Sequence, residues 1–470
     1  MSNNYENTWS SNKKILDKIV LLEQGSIPSA FAKGQLSLWP AVRIRLAFSL
    51  IERRYKIKRN KQFFKKSLRN LPKKILSINN KLQKSDVLFV SHSNYMCKVG
   101  EQTYDRVLEG HKINCKEKGE KYSVLNLETG TISYQDNDDT AKDLSLVFFF
   151  IKVYAYIYSR LFKKGALEIE SAVGIINKEL NKTFASYSIT GLEIYQYLNY
   201  INSLANFYGK LLRLLGVSRV YQATYYDSVG LSINTAASHL GIKTFCAQHG
   251  GQSKNNPAFG RWTNIPSNGY AMLPDVFLCW DEQSSDTILD WAAKNRNHTA
   301  KITGYHWPDL WRSGKIEYEK ITVPDKLNMK KLNILYSMQP SIGLPPGIIN
   351  EILSEFSNDV IWWFRLHPRQ LKTQTEIDLR TLYANNYNII ISEATDSPLP
   401  SLMTLIDLHV TCFSSCIFEA IAFDIPTLLI SKAGEEYFDD HIQLGKAKMC
   451  LDTAHLKREI VKRIRDKKIY

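Results

Sequence analysis

From Lys331 to Ser431 apolar runs of strand length alternate with helical stretches, and this alternation constrains the fold more than any other feature. KLNILYSMQP, VIWWFRLHPR, NIIISE, DLHVTCFSS and PTLLIS read as strands. PPGIINEILSEFS, the residues around 373–385, LPSLMTLI and SCIFEAIAFD read as the helices between them. Strands separated by helices of this length form a parallel sheet covered on both faces. Right-handed crossovers then bring the strand-end loops to one rim, where open α/β sheets bind ligands.

A second α/β region precedes it. DVLFVSH, beginning at Asp86, is a short buried strand feeding a loop, and YSVLNL is a further strand-like piece. SRVYQATYYDSVGLSINTAASHLGIKTFCAQHGGQ then gives strand, helix and strand. Asp227 stands at the helix entrance and Gly241 just past its end, which are capping positions. DVFLCW and KITGYHWPD extend the pattern. At 470 residues the chain is too long for one core. We therefore expect a helical, basic extension over 1–84, an α/β domain over 85–310, a polar linker over 311–330 and a second α/β domain over 331–470.

Charge is concentrated in one place. Thirteen Lys/Arg and no acid lie between Arg53 and Lys84, which nearly accounts for the formal net charge of +15. Such a block is either a solvated helix face or a surface for anionic lipid headgroups. No nucleic-acid motif accompanies it, so nucleic acid is not an expected partner. The opening MSNNYENTWSSNKK is polar, unlike a signal peptide. Leu144–Phe162 is the longest apolar run, but Lys152 and Arg160 interrupt it, so a buried or interfacial helix is expected over a spanning one. Seven cysteines at irregular spacing suit neither a disulfide framework nor a zinc site, and a cytoplasmic setting is expected.

Three strand-end loops of the later domain carry candidate ligands: Gln339-Pro340-Ser341, Arg365–Arg369 and Thr411–Ser415. Ser414 and Ser415 lead into a helix, where hydroxyls and backbone N–H groups favour an anion, although Ser-Ser is also an ordinary N-cap. Glu419 lies one turn further on and could accept bonds from ribose hydroxyls. Arg365, His367 and Arg369 would supply charge-assisted donors to phosphate.

RLHPR followed by CFSSCIFEAIAFDIPTLLI resembles the donor half of GT-B glycosyltransferases of bacterial surface-polysaccharide synthesis. The closest likeness is to the His-Pro/Ser-Ser sialyl- and Kdo-transferase group and the CDP-glycerol transferases. Asp424 stands where that pattern usually has glycine. LWPAVRIRL and AQHGGQ resemble segments of capsule and lipopolysaccharide glycosyltransferases, and the likeness covers about residues 85–431. The resemblance implies two Rossmann-like domains facing a cleft and a nucleotide-sugar donor. The acceptor it implies is a glycan or lipid-linked glycan. It places His367, Ser414 and Ser415 at the donor phosphate and Glu419 at the ribose.

In that architecture a strand end of the earlier domain supplies the base. His249, flanked by Gly250 and Gly251, is the first candidate and Asp227 the second, with His92 and Gln248 at the acceptor. No metal or other cofactor is expected. Asp136-Asn137-Asp138 spells DxD, but no apolar strand leads into it, so it reads as chance. Three other readings share the same rim: a CDP-glycerol-type glycerophosphotransferase, a UDP-sugar 2-epimerase and a non-catalytic polysaccharide-assembly protein.

Overall fold

The computed structural model describes residues 3–34, 36–54, 82–127, 129–184, 186–293, 297–316, 331–353 and 355–469. The basic segment, apart from its ends, and residues 317–330 of the expected linker lie outside the described residues. The chain divides into two compact units. The first comprises Ser11–Met96 and Asp105–Gly304, and the second Cys97–Tyr104 and Tyr305–Tyr470 with the first ten residues.

The helices used below are α1 (Asn3–Gln24), α2 (Trp39–Arg54), α3 (Glu109–Glu117), α4 (Ser145–Leu161), α5 (Lys164–Asn181), α6 (Gly191–Leu215) and α7 (Ser228–Leu240). The first unit's main sheet contains β1 (Val87–Ser91), β2 (Tyr122–Asn126), β3 (Thr131–Tyr134), β4 (Asn137–Asp143), β5 (Arg219–Gln222), β6 (Lys243–Ala247), β7 (Val276–Cys279) and β8 (Thr299–Ile302). Their order is β8-β7-β6-β5-β1-β2-β3-β4. Within this sheet only the pairings of β2 with β3 and of β3 with β4 are antiparallel. In the parallel part the chain runs outward in one direction from β1 to β2 and in the other from β5 to β8. The crevice between β1 and β5 is therefore a topological switch point.

The second unit's sheet contains β9 (Leu332–Ser337), β10 (Val360–Arg365), β11 (Ile389–Ile390), β12 (Leu408–Thr411), β13 (Thr427–Leu429) and β14 (Ala447–Met449). All its pairings are parallel, in the order β11-β10-β9-β12-β13-β14. This is the dinucleotide-fold order, with its switch point between β9 and β12. Burial on both faces explains the unbroken apolar runs: Ile334, Tyr336, Trp362 and Phe364 enter one core, while Leu335, Ile361 and Trp363 enter the other. The α/β class and the two Rossmann-like units expected from the sequence are both present.

Two boundaries differ from expectation. The described N-terminal helices are not an appendage: from Ile15 to Leu50 they fill one core with Tyr225, Phe259, Phe277 and Trp291. The polar anchor is a fully buried Glu23–Arg43 ion pair. Glu23 accepts from Trp39 Nε1 (2.7 Å), Thr263 N (2.9 Å) and Thr263 Oγ1 (3.0 Å). Arg43 donates to the carbonyls of Gly260 (2.7 Å) and Pro257 (3.3 Å) and stacks on Trp262. Removing one partner of such a pair would strand a buried charge, at a cost of about 3–5 kcal/mol. The second boundary falls after Gly304 rather than at 311. His306–Arg312 is a helix of the second unit, tied to its sheet layer by Arg312 donating to Ala422 O (2.7 Å).

Candidate functional site

At the first unit's switch point, the loops after β1 and β5 meet. Tyr95 and Thr224 join them through their hydroxyls at 3.0 Å. The adjacent end of β6 brings His249, whose Nε2 is 3.0 Å from the Tyr226 hydroxyl and whose ring centre is 5.1 Å from that of Tyr95. His92 caps the short helix Ser93–Tyr95, its Nδ1 accepting from Asn94 N, and lies edge-on to Tyr95. The Arg106 guanidinium lies over the Tyr95 ring, 6.0 Å from its centre. Thus His92, Asp227 and His249, chosen from separate sequence segments, converge on neighbouring strand ends.

Their protonation is set by burial. The His249 ring is half-buried, but its Nδ1 is enclosed and has no hydrogen-bond partner within the described residues. Desolvation pushes its pKa down to about 4, so the ring is neutral at pH 7. That removes the near-neutral titration which made His249 the first candidate base. Burial raises Asp227 above the ordinary carboxylate range, while the helix N–H of Gly230 and the nearby His92 pull it back. Asp227 Oδ1 accepts from Gly230 N at 2.7 Å and caps α7, and the Val229 N–H also donates to the carboxylate and lowers its pKa. Burial likewise pushes Tyr95 up to about 12. A capping carboxylate of raised basicity can accept a proton from a nearby hydroxyl.

Gln248 does not face this pocket as expected. It is buried, donates to Gly250 O and Ser284 Oγ (3.0 Å each), and accepts from Trp280 N (2.7 Å). It fixes the loop that carries His249. Tyr95, Thr224 and Tyr226 were missed by the sequence reading. The signal for Thr224 and Tyr226 was the polar aromatic cluster ATYYD directly after a strand, and that for Tyr95 was SHSNY, likewise after a strand. Phe48 of α2 stacks on Tyr226 at 5.5 Å, so the N-terminal helices also shape the site. Asp136 of the DxD triplet sits in the β3–β4 turn, bonded to Lys112 (2.9 Å) and Tyr122 (2.5 Å).

The second unit's switch point collects Gln339, Thr411 and Ser414. Gln339 Oε1 accepts from Phe413 N (3.3 Å), and Thr411 Oγ1 donates to Ser337 O (3.0 Å). Several expected ligands are committed to this framework. Arg365 Nη1 donates to the carbonyls of Ala394 (2.6 Å) and Ser397 (2.8 Å), which holds the loop after β11 rather than leaving that group for phosphate. Buried Ser414 accepts from Cys416 N (3.3 Å). The helix it starts, Cys416–Ala422, has only seven residues, so its dipole is a weaker anion site than expected. Buried Glu419 accepts from the Tyr305 hydroxyl at 2.7 Å.

His367 Nδ1 accepts from Arg369 N (3.1 Å), so a single ring proton would sit on Nε2. The Ser415 side chain is exposed at the N-cap without a capping bond, and the Arg369 side chain is exposed. Gln370, not foreseen from sequence, is the keystone of the loops. It accepts from His367 N (3.0 Å) and donates to the carbonyls of Gln339 (3.4 Å) and Gly343 (3.3 Å).

No family model matches the chain, and no curated protein is similar to it in sequence. Among solved structures it is similar to the UDP-GlcNAc 2-epimerase of Methanocaldococcus jannaschii, in complex with UDP-GlcNAc and UDP, at 14% identity, 80% of this chain, 92% of that one and a TM-score of 0.43. The UDP-GlcNAc 2-epimerase of Neisseria meningitidis, bound to UDP-GlcNAc, matches at 12% identity, 80% and 90% coverage and a TM-score of 0.45. The glycosyltransferase SnogD of Streptomyces nogalater matches at 12% identity, 82% and 95% coverage and a TM-score of 0.43. At such identities and scores, no residue of this chain takes its role from them.

Proposed function

We propose that the chain is a GT-B glycosyltransferase that moves a sugar from a nucleotide-activated donor to a surface-polysaccharide acceptor, a glycan or lipid-linked glycan. The observation that carries this reading is the placement of the chemistry-bearing residues at both topological switch points. The second unit's switch point, with Ser414, Ser415, Glu419 and neighbouring His367, is assigned to the nucleotide. The first unit's, with Asp227, His92 and His249, is assigned to acid–base work.

In this reading the Asp227 carboxylate takes the proton of the acceptor hydroxyl. The resulting oxygen forms the new bond to the anomeric carbon as the bond to the nucleotide phosphate breaks, and the nucleotide leaves with the electron pair. His367 Nε2–H, the Ser415 hydroxyl and Arg369 stabilise the departing charge. Neutral His249 and Tyr226 orient the acceptor. Side chains, rather than a metal ion, carry the leaving-group charge. Donor supply in the cytoplasm, with the enzyme at the inner membrane face, fits such a substrate pair.

A thermal-shift panel of CMP, CDP, UDP, GDP and dTDP tests the nucleotide assignment. One nucleotide is expected to raise Tm, and Glu419→Ala to abolish that rise. No shift with any of the five would overturn the reading in favour of a non-catalytic assembly protein. Incubation with UDP-GlcNAc alone gives the second test, since turnover without any acceptor would make the chain an epimerase. A product carrying a phosphate would make it a glycerophosphotransferase.

A further inference from the structure

Helix α4 is apolar on two opposite faces, and among the described residues only one of them has a partner inside the fold. Its inner face packs on α6: Phe148 meets Phe207 edge-on at 5.7 Å, Ala155 and Ser159 are buried, and Asn199 Nδ2 donates to Ser159 Oγ at 3.0 Å. Its outer face carries Phe150, Tyr154, Ile157 and Leu161, spaced four, three and four residues apart, which is one continuous helical stripe. These side chains are 63%, 60%, 50% and 71% exposed. The stripe continues round the corner into α5 through Phe162 and Leu167, at 56% and 72%. A helix on a globular surface ordinarily turns polar residues outward, and a contiguous apolar patch marks an interaction surface.

The residues around the stripe define the partner. Arg160, Lys163 and Lys164 are exposed beside it, and no acid occurs between Asp143 and Glu168. Arg160 lies over the Tyr156 ring, 4.8 Å from its centre. Tyrosine, phenylalanine and cations together suit the headgroup layer of a bilayer. A second copy of the chain meeting the α4 face through a two-fold axis would oppose Arg160, Lys163 and Lys164 to the same three cations. Crossing the bilayer is also disfavoured. No single described helix is long and apolar enough to span, and α4 and α5 together are bent by 83°. At 1.5 Å per residue α4 is about 26 Å long, against a hydrocarbon core of about 30 Å.

We propose that the outer face of α4 and its corner with α5 is a membrane-docking surface that lies flat in the interface of a bilayer containing anionic lipid. The inference concerns the surface alone and holds whichever reaction the chain performs. It is distinct from the basic run at Arg53–Lys84, because different residues carry it.

Vesicle flotation of the full chain tests it, using phosphatidylcholine alone and phosphatidylcholine mixed with phosphatidylglycerol. The unchanged protein is expected to float with the mixed vesicles. Ile157→Asn/Leu161→Asn should lower partition at least about tenfold, since two buried aliphatic side chains are lost from the contact. Arg160→Gln/Lys163→Gln/Lys164→Gln should lower partition on mixed vesicles by about fivefold per charge. Thermal melts confirm that both variants fold, as the altered positions are exposed. Equal partition of both variants and the unchanged protein would overturn the proposal, because another surface would then carry the binding. Failure of the unchanged protein to float would overturn it too. So would a dimer that Ile157→Asn/Leu161→Asn dissolves in the absence of any vesicle binding.

Discussion

The two switch points are built on the same principle and use their polar groups in different ways. In the second unit most of the groups that stand out in sequence are engaged with their own loops: Arg365 with two carbonyls, Ser414 with a helix N–H, Glu419 with Tyr305. In the first unit Asp227 is bonded to backbone N–H groups at the start of its own helix, and burial moves Asp227 up and His249 down. A rim whose groups are mutually bonded is rigid and presents a shape. A rim that holds a carboxylate of raised basicity suits proton transfer. In the proposed reading the second unit binds and the first transfers the proton, a contrast that can be broken at single residues.

The largest effect is expected at Asp227. Asparagine caps a helix about as well as aspartate, so Asp227→Asn keeps the bond from Gly230 N and removes only the base. Turnover in a nucleotide-release assay should fall by about 10²–10⁴-fold. Stability should move the other way. A carboxylate whose folded pKa is raised contributes stability that is present below the unfolded value and lost as pH rises through the folded one. At neutral pH the asparagine variant escapes that loss, so its Tm should be equal or higher. The acid limb of the turnover profile should also sit above the ordinary carboxylate value of about 3.9. Unchanged turnover with a lowered Tm would reduce Asp227 to a cap, and the two rims would no longer differ.

A smaller effect is expected at the Glu419–Tyr305 pair. If Glu419 meets the ribose, Glu419→Gln should weaken nucleotide binding about tenfold or more, as expected for a lost bond to a charged group. Tyr305→Phe removes the 2.7 Å bond within the protein and leaves the carboxylate in place, so binding should hold or tighten. Isothermal titration with the nucleotide found by thermal shift measures both. Equal losses in the two variants would mean that the pair only braces the short helix Cys416–Ala422.

Why this contrast was only half visible in the sequence follows from where each partner lies. The strands announced themselves because parallel strands buried on both faces need unbroken apolar runs, as in VIWWF. The caps at Asp227 and Gly241 were legible because capping chemistry is local. The sheet orders were not, since nothing in a strand's own residues names its neighbour, and short β14, with Lys448 at its centre, lacks the pattern altogether. Arg43 looked like one more cation of a basic N-terminus until its partners appeared at Gly260 and Pro257, more than two hundred residues away. For the same reason Arg365 and Glu419 read as open ligands, while the carbonyls and hydroxyl that engage them are supplied by other loops. Site residues could be located at strand ends, but not whether their bonds were already taken.

The smallest expected effect comes from two buried imidazoles, one in each unit, and it separates the units by acid stability. His409 lies within β12, wholly buried between Ser337 Oγ (2.7 Å) and Thr427 Oγ1 (3.0 Å), and desolvation pushes its pKa down to about 3. His249 is pushed down to about 4. A histidine with a depressed folded pKa binds its proton in the unfolded chain first. Its contribution is therefore fully present above the unfolded value of about 6.5 and is lost as pH falls towards the folded one. For His409 the slope is at most about 1.4 kcal/mol per pH unit, a few degrees in Tm for a domain of this size. His249 is only half-buried, so solvent screening should make its share smaller. The expected result is a Tm that declines from about pH 6.5 downwards, with His409→Gln flattening the decline more than His249→Gln. Nucleotide should protect the part removed by His409→Gln, because that residue lies in the sheet beneath the proposed nucleotide rim. If His249→Gln flattened the decline more, His249 would be the more deeply desolvated of the two, and the unit assigned to proton transfer would also govern acid unfolding.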